Sequence, residues 1–217
     1  RHTRYIGDWS SDVCSSDLLP HFDVRSCAEA SNCRQSVQTP HNGMAPTAPD
    51  LLVLAASNGE NLKLAQRFVA AAEQRQQRAD LLDLTRLDLP LFTPRAERQE
   101  RNPTLIKLEQ QLQQAPRWVI CAPEYNGSIP PVLSNAIAWL SVQGDDFRAL
   151  FNGRPIAMAT VSGSGGMELL VSLRIQLTHL GAQVVGRQLL GNKSKPPEDD
   201  TINDLIHRLL QLQPLAL

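Results

Sequence analysis

Six apolar residues follow one another without a break from Leu51 to Ala56. A run of that length with no polar face predicts a strand covered on both sides. From Asn61 to Gln77 the composition turns helical, giving a strand–loop–helix opening. The alternation recurs, with strands near Asp80–Leu84, Arg117–Ala122, Pro155–Val161 and Gln183–Leu189. Helices are predicted over Pro103–Gln114, Val132–Val142, Met167–Leu180 and Glu198–Gln211, with proline at or near several starts and Gly181 after one end. In the last helix Ile202, Leu205, Ile206, Leu209 and Leu210 share one face, while Asn203, Asp204 and Arg208 lie opposite. Five strands interleaved with helices predict an α/β domain with a parallel sheet. Thr85–Asn102, with Pro90, Pro94 and many charges, reads as a long surface loop, a candidate for an oligomer interface.

Composition narrows the picture. The chain has 217 residues, 42% hydrophobic and 20% charged, enough for one packed globular core. Twenty-one basic residues stand against twenty-two acidic ones, so no global field would gather nucleic acid or an anionic membrane. A phosphate site must therefore be local. The longest apolar runs are strand-sized, short of the roughly 18 residues of a membrane span. The cysteines, at 14, 27, 33 and 121, have neither metal-ligand spacing nor disulfide-framework density. The expectations are no metal, no membrane, no nucleic-acid partner, and a reducing cytoplasmic setting.

Residues 1–43 differ from the rest. They are rich in Ser, Asp, Cys and Asn, lack sustained periodicity, and precede Met44. Asp8-Trp9-Ser10-Ser11-Asp12-Val13-Cys14-Ser15-Ser16-Asp17-Leu18 resembles translated sequencing-adapter sequence. The expectation is a disordered, artefactual leader followed by a domain over residues 44–217, formally neutral and keeping only Cys121. A genuine flexible extension is the alternative.

In a parallel sheet of this kind, ligands bind where loops leave the carboxyl ends of the strands. After the first strand, Ala56-Ser57-Asn58-Gly59-Glu60-Asn61 leads into a helix whose free N–H groups attract a phosphate. Ser57, Asn58 and Asn61 add side-chain donors, and Gly59 allows close backbone approach. Helix capping explains the same residue types equally well. After the third strand, Pro123-Glu124-Tyr125-Asn126-Gly127-Ser128-Ile129-Pro130-Pro131 can set an aromatic face and backbone donors against a flat ring. After the fourth, Ser162-Gly163-Ser164-Gly165-Gly166 offers further exposed backbone donors.

The stretch from Pro123 through Trp139, in the order phosphate loop, Pro-Glu-Tyr-Asn loop, Gly-rich loop, resembles the NADPH-dependent FMN reductase family over about Leu51–Leu190. That resemblance implies a flavodoxin-like three-layer α/β/α fold with a five-stranded parallel sheet, FMN as cofactor, and NADPH or NADH as reductant. By position it implies that Ser57 and Asn61, with Asn58 and Gly59, serve the FMN phosphate. Pro123, Glu124, Tyr125, Asn126 and Gly127 would line the isoalloxazine; Ser162, Gly163, Gly165 and Gly166 would close its other side. Many members carry a longer Gly-Ser-x-Arg loop, whereas this chain has no arginine there, so phosphate binding would lean on backbone and neutral donors, with Lys63 as a further source of charge. The resemblance further implies a homodimer or homotetramer and a ping-pong cycle ending on a quinone, free flavin or similar small acceptor.

Hydride transfer between stacked rings requires no protein nucleophile, so no residue is assigned a catalytic role. Glu124 more simply lines the flavin edge than exchanges protons. Cys121 reads as a buried small hydrophobe, and His179 and His207 as helix-surface residues. Two rival readings are a flavodoxin-type electron carrier, whose usual acidity is missing here, and a degenerate family member without FMN.

Overall fold

In the computed structural model, the described residues are 48–163 and 165–216; the expected leader and Ser164 lie outside them. The strands are β1 (Leu51–Ala55), β2 (Ala79–Asp83), β3 (Trp118–Cys121), β4 (Pro155–Val161), β5 (Gln183–Val184) and β6 (Leu189–Gly191). The helices are α1 (Glu60–Glu73), α2 (Pro94–Glu97), α3 (Pro103–Gln114), α4 (Pro131–Leu140), α5 (Met167–His179) and α6 (Asp199–Gln211). Every strand pairing is parallel, in the order β2-β1-β3-β4-β5, and β6 pairs with β4 beyond β5. This is the doubly wound flavodoxin-like order, whose reversal falls between β1 and β3.

The continuous apolar runs have a direct structural reason. Along β1, Leu51, Val53 and Ala55 face one helix layer and Leu52 and Leu54 the other. Neither face meets water, so neither can be polar. One side is covered by α1 through Leu64, Ala65, Phe68 and Ala72 and by α6 through Ile202, Leu205, Ile206 and Leu209. The other is covered by Leu105, Leu108 and Leu112 of α3, Leu133 and Ile137 of α4, and Leu169, Leu173 and Leu177 of α5. Burying Phe68 completely is worth roughly 2–3 kcal/mol by area.

Two expectations are corrected. The single strand expected over Gln183–Leu189 is two pieces, so the fifth position of the sheet holds β5 and then β6. Arg174 of α5 spans the break: its Nη2 donates to the Val185 carbonyl (3.0 Å) and to Gln188 Oε1 (3.0 Å), tying the intervening chain to the helix. The connection Thr85–Asn102 is not merely a loop on the surface. It contains α2, started by Thr93 Oγ1 accepting from Ala96 N–H, and it is fastened onto α4. Asn135 accepts from Phe92 N–H (2.7 Å) and donates to the Pro90 carbonyl (3.0 Å); Trp139 Nε1 donates to the same carbonyl (2.7 Å). Phe92 and Trp139 meet edge to face at 5.2 Å.

Candidate functional site

Three loops rise from the carboxyl ends of β1, β3 and β4. Backbone hydrogen bonds set their departure points: Ala56 N–H donates to the Cys121 carbonyl (2.9 Å), Ala122 N–H to Ala159 (3.1 Å) and Ser162 N–H to Gly191 (3.0 Å). The residues predicted for the site thus stand along one crest of the sheet, at the point where strand order reverses.

The loop after β1 decides between its two readings in part. Gly59 is the N-cap of α1, and no side chain caps that helix. Ser57 and Asn58 therefore do not owe their polarity to capping, and the first-turn N–H groups of α1 have no intrahelical acceptor. Ser57 is buried, whereas Asn58, Gly59 and Glu60 are exposed. Asn61 is different. The residue is 2% exposed, and its carboxamide donates through Nδ2 to the Val161 carbonyl and accepts at Oδ1 from Val161 N–H, both at 2.9 Å. Lys63 is held by Glu60 at 2.8 Å and Arg67 by Asp199 at 2.6 Å, so the nearby cations of α1 are already paired.

The loop after β3 is a tight hairpin. Tyr125 N–H donates to Ser128 O (3.1 Å) and Ser128 N–H donates back to Tyr125 O (3.0 Å). The two residues between them, Asn126 and Gly127, have φ of 52° and 67°. Positive φ at both central positions is the primed turn that an Asn-Gly pair prefers, so the local chain chemistry dictates this shape. Tyr125 is left 51% exposed at its base. Glu124, Tyr125, Asn126, Ser128, Ile129 and Pro131 line an open groove of about 500 Å³. Glu124 also reaches α5, with Leu169 N–H donating to its Oε2 at 3.4 Å. A carboxylate there also complements the positive end of α5.

The loop after β4 reaches α5 through Gly165 and Gly166, with φ of 128° and 86°, and Gly166 is the N-cap. These two glycines are required by their backbone conformation. Gly163 is not: its φ lies outside the left-handed region and a Cβ there would meet nothing within 4 Å. Gly59, at φ −106°, likewise borders open space. Glycine at two crest positions that packing within the chain does not demand suits close approach by a ligand.

The crest therefore unites Ser57, Asn58, Gly59, Pro123, Glu124, Tyr125, Asn126, Gly127, Ser162, Gly163, Gly165 and Gly166, with Asn61 beneath it. Sequence reasoning missed Val161 and Leu169, which act through backbone groups that no residue type advertises. It also missed Thr160, whose buried hydroxyl, under the glycine loop, has no hydrogen-bond partner among the described residues. Among the described residues no group of three or more His, Cys, Asp or Glu could hold a metal, and no helix is long and apolar enough to cross a membrane. Cys121 is fully buried at the end of β3, and burial pushes its thiol well above the ordinary range. His179 and His207 are exposed on α5 and α6.

Residues 49–195 match the family model described as NADPH-dependent FMN reductase. The chain is similar to a quinone reductase of Escherichia coli (strain K12), 34% identical over 124 residues, which cover 54% of this chain and 64% of that protein. The match thus spans under two thirds of the relative's length. Among solved structures it is similar to FerB, a flavoenzyme NAD(P)H:(acceptor) oxidoreductase from Paracoccus denitrificans, with TM-score 0.62, 18% identity, and coverage of 76% of this chain and 99% of that one. It is also similar to an oxidoreductase from Corynebacterium diphtheriae, with TM-score 0.60, 18% identity, and coverage of 77% and 97%. At these identities the structural likenesses show the shared fold.

Proposed function

Because the chain belongs to the NADPH-dependent FMN reductase family, we propose that it is an NAD(P)H-dependent oxidoreductase that holds FMN along the crest and passes reducing equivalents to a quinone, a free flavin or a similar small acceptor. The observation that carries this reading is the convergence of the three loops at the β1/β3 reversal, with Gly59 and Gly163 opening on space that none of the described residues fills.

The donor set fits a phosphate monoester and a flat heteroaromatic ring. The uncapped first turn of α1, Ser57, Asn58 and Gly59 would hold the phosphate through N–H, hydroxyl and amide donors, and the helix dipole would supply the field that the family's arginine provides elsewhere. Pro123, Glu124, Tyr125, Asn126 and Gly127 would line the ring on one side; Ser162, Gly163, Gly165 and Gly166 would line the other. When bound, FMN supplies a two-electron carrier that accepts a hydride from nicotinamide and releases its electrons to the acceptor. The chain's own work is placement. The rigid Asn126-Gly127 turn fixes Tyr125, Glu124 ties that hairpin to α5, and the tightly closed core below keeps the crest from relaxing.

A cytoplasmic setting and a homodimer or homotetramer belong to the same proposal. Support for self-association comes from α5, which carries Met167, Val171 and Ile175 one turn apart on its outward side. Sedimentation of the purified chain reads the oligomer directly.

The functional test is the visible spectrum of the purified full chain, recorded anaerobically before and after NADPH or NADH. Flavin bands that bleach on mixing are the expected result. Flavin that stays oxidised would place the protein with the flavodoxin-type carriers, and no flavin binding even after added FMN would sink the FMN reading altogether.

A further inference from the structure

The carboxamide of Asn61 makes two hydrogen bonds to a residue one hundred positions away, and their geometry continues the sheet. In the β3–β4 ladder the register ends at Cys121 opposite Ala159, and Ala122 N–H closes it on the Ala159 carbonyl. Backbone groups of alternate residues in a strand point to the same neighbour, so Val161, two residues beyond Ala159, presents its N–H and C=O toward β3. No strand is there to receive them, because β3 has ended and Pro123 turns the chain into the hairpin. Asn61 fills the place instead, accepting from Val161 N–H and donating to Val161 O at 2.9 Å each. On its other side the end of β4 is held by β6, with Val161 opposite Gly191.

We propose that Asn61 is a positioning residue that locks the phosphate-side loop to the ring-side loop, setting affinity for the whole flavin without itself touching the phosphate. Asn61 begins the first turn of α1, directly after Ser57-Asn58-Gly59, and Val161 immediately precedes Ser162-Gly163. One side chain thus fixes the spacing between the two walls that FMN must bridge. Its side chain is buried, with Oδ1 and one Nδ2 hydrogen held by Val161, so only the second Nδ2 hydrogen is left to offer a phosphate. The inference rests on the FMN reading above.

The test compares FMN with riboflavin, which carries the same ring and no phosphate. Each is titrated into the flavin-stripped full chain by fluorescence, for the wild type, Asn61→Ala and Asn61→Ser, with a thermal melt of each to establish folding. Removing the clamp, and with it both hydrogen bonds to Val161, should weaken both ligands in parallel by about tenfold. Serine, whose hydroxyl reaches Val161 through a water, should recover part of both. If alanine does not fold, serine against wild type carries the same comparison. Loss of FMN with riboflavin unchanged would make Asn61 a phosphate ligand and overturn the proposal. A lower melting temperature with both affinities unchanged would make it structural only and overturn it too. A wild type that binds neither flavin sinks the FMN reading, and this inference with it.

Discussion

A Cβ placed on Gly166 would stand 2.6 Å from Cγ2 of Thr160. The N-cap of α5 and the penultimate residue of β4 are therefore in contact at a distance that only glycine permits, and the φ of 86° at Gly166 independently favours glycine. Gly166→Ala combines steric overlap with an unfavourable backbone, a loss of about 1–3 kcal/mol. The expected outcome is a melting temperature lower by roughly 5 °C together with weakened flavin binding. A calorimetric scan unchanged from wild type would contradict it.

Gly127 poses a purely conformational demand, since a Cβ there meets nothing within 4 Å while its φ is 67°. Gly127→Val should open the Tyr125–Ser128 hairpin at a cost of about 1–3 kcal/mol to the turn. Because the hairpin is an outlying part of the fold, global melting should move little. FMN affinity should fall by about tenfold, measured by fluorescence titration, and retention of full affinity would remove Tyr125 and Asn126 from the site.

Asp50 and Arg78 fasten the starts of β1 and β2. Asp50 Oδ2 accepts from Arg78 N–H at 2.8 Å, and that bond above all holds its carboxyl below the usual carboxylate range, with the Arg78 guanidinium adding to it. A carboxyl pKa depressed in the folded state contributes stability above the unfolded value near 3.8, and that stability is lost as pH falls through the folded value. Asp50→Asn should therefore melt about 2 °C lower at pH 7, a modest figure because the pair is partly exposed. The difference should close as melts are repeated toward pH 3; a gap that widens there would reverse the assignment.

Cys121 is expected to be chemically silent. Its thiol is sealed beneath the crest and held protonated by burial. Cys121→Ala should oxidise NAD(P)H at a rate within about twofold of wild type, with a stability loss of about 1 kcal/mol from the missing sulfur. An abolished rate in a folded variant would require a redox role for the thiol.

The fold was largely legible because its signals are local. Apolar residues marked β1 and β4, and Pro103 marked the start of α3, where the structure adds a cap from Asn102 Oδ1, which accepts from Thr104 N–H. What escaped the sequence depends on partners far along the chain. Arg174 spanning the break in the fifth strand, Asn135 and Trp139 gripping Pro90, and Asn61 completing the ladder at Val161 are each decided by where another element happens to pass. For the site, residue type pointed to loops that the fold gathers on one crest, but it blurred the parts played within them. Asn61 looked like one more donor among Ser57 and Asn58 until its burial and both its bonds were visible, and the positive φ of Asn126 and Gly127 shows the demand of a turn in residues first read as lining a ring.

The interruption spanned by Arg174 also bears on how the protein behaves when crowded. An uninterrupted outer strand offers a row of unpaired backbone groups on which a strand from another molecule can build. Here that margin is cut into pieces of two and three residues, with exposed Gly186 and Arg187 between them. The opposite margin, β2, carries Asp80 and Asp83. Among the described residues neither side presents a long, uncharged template, so the sheet is guarded against edge-to-edge aggregation at both ends, on one of them by a break that Arg174 spans.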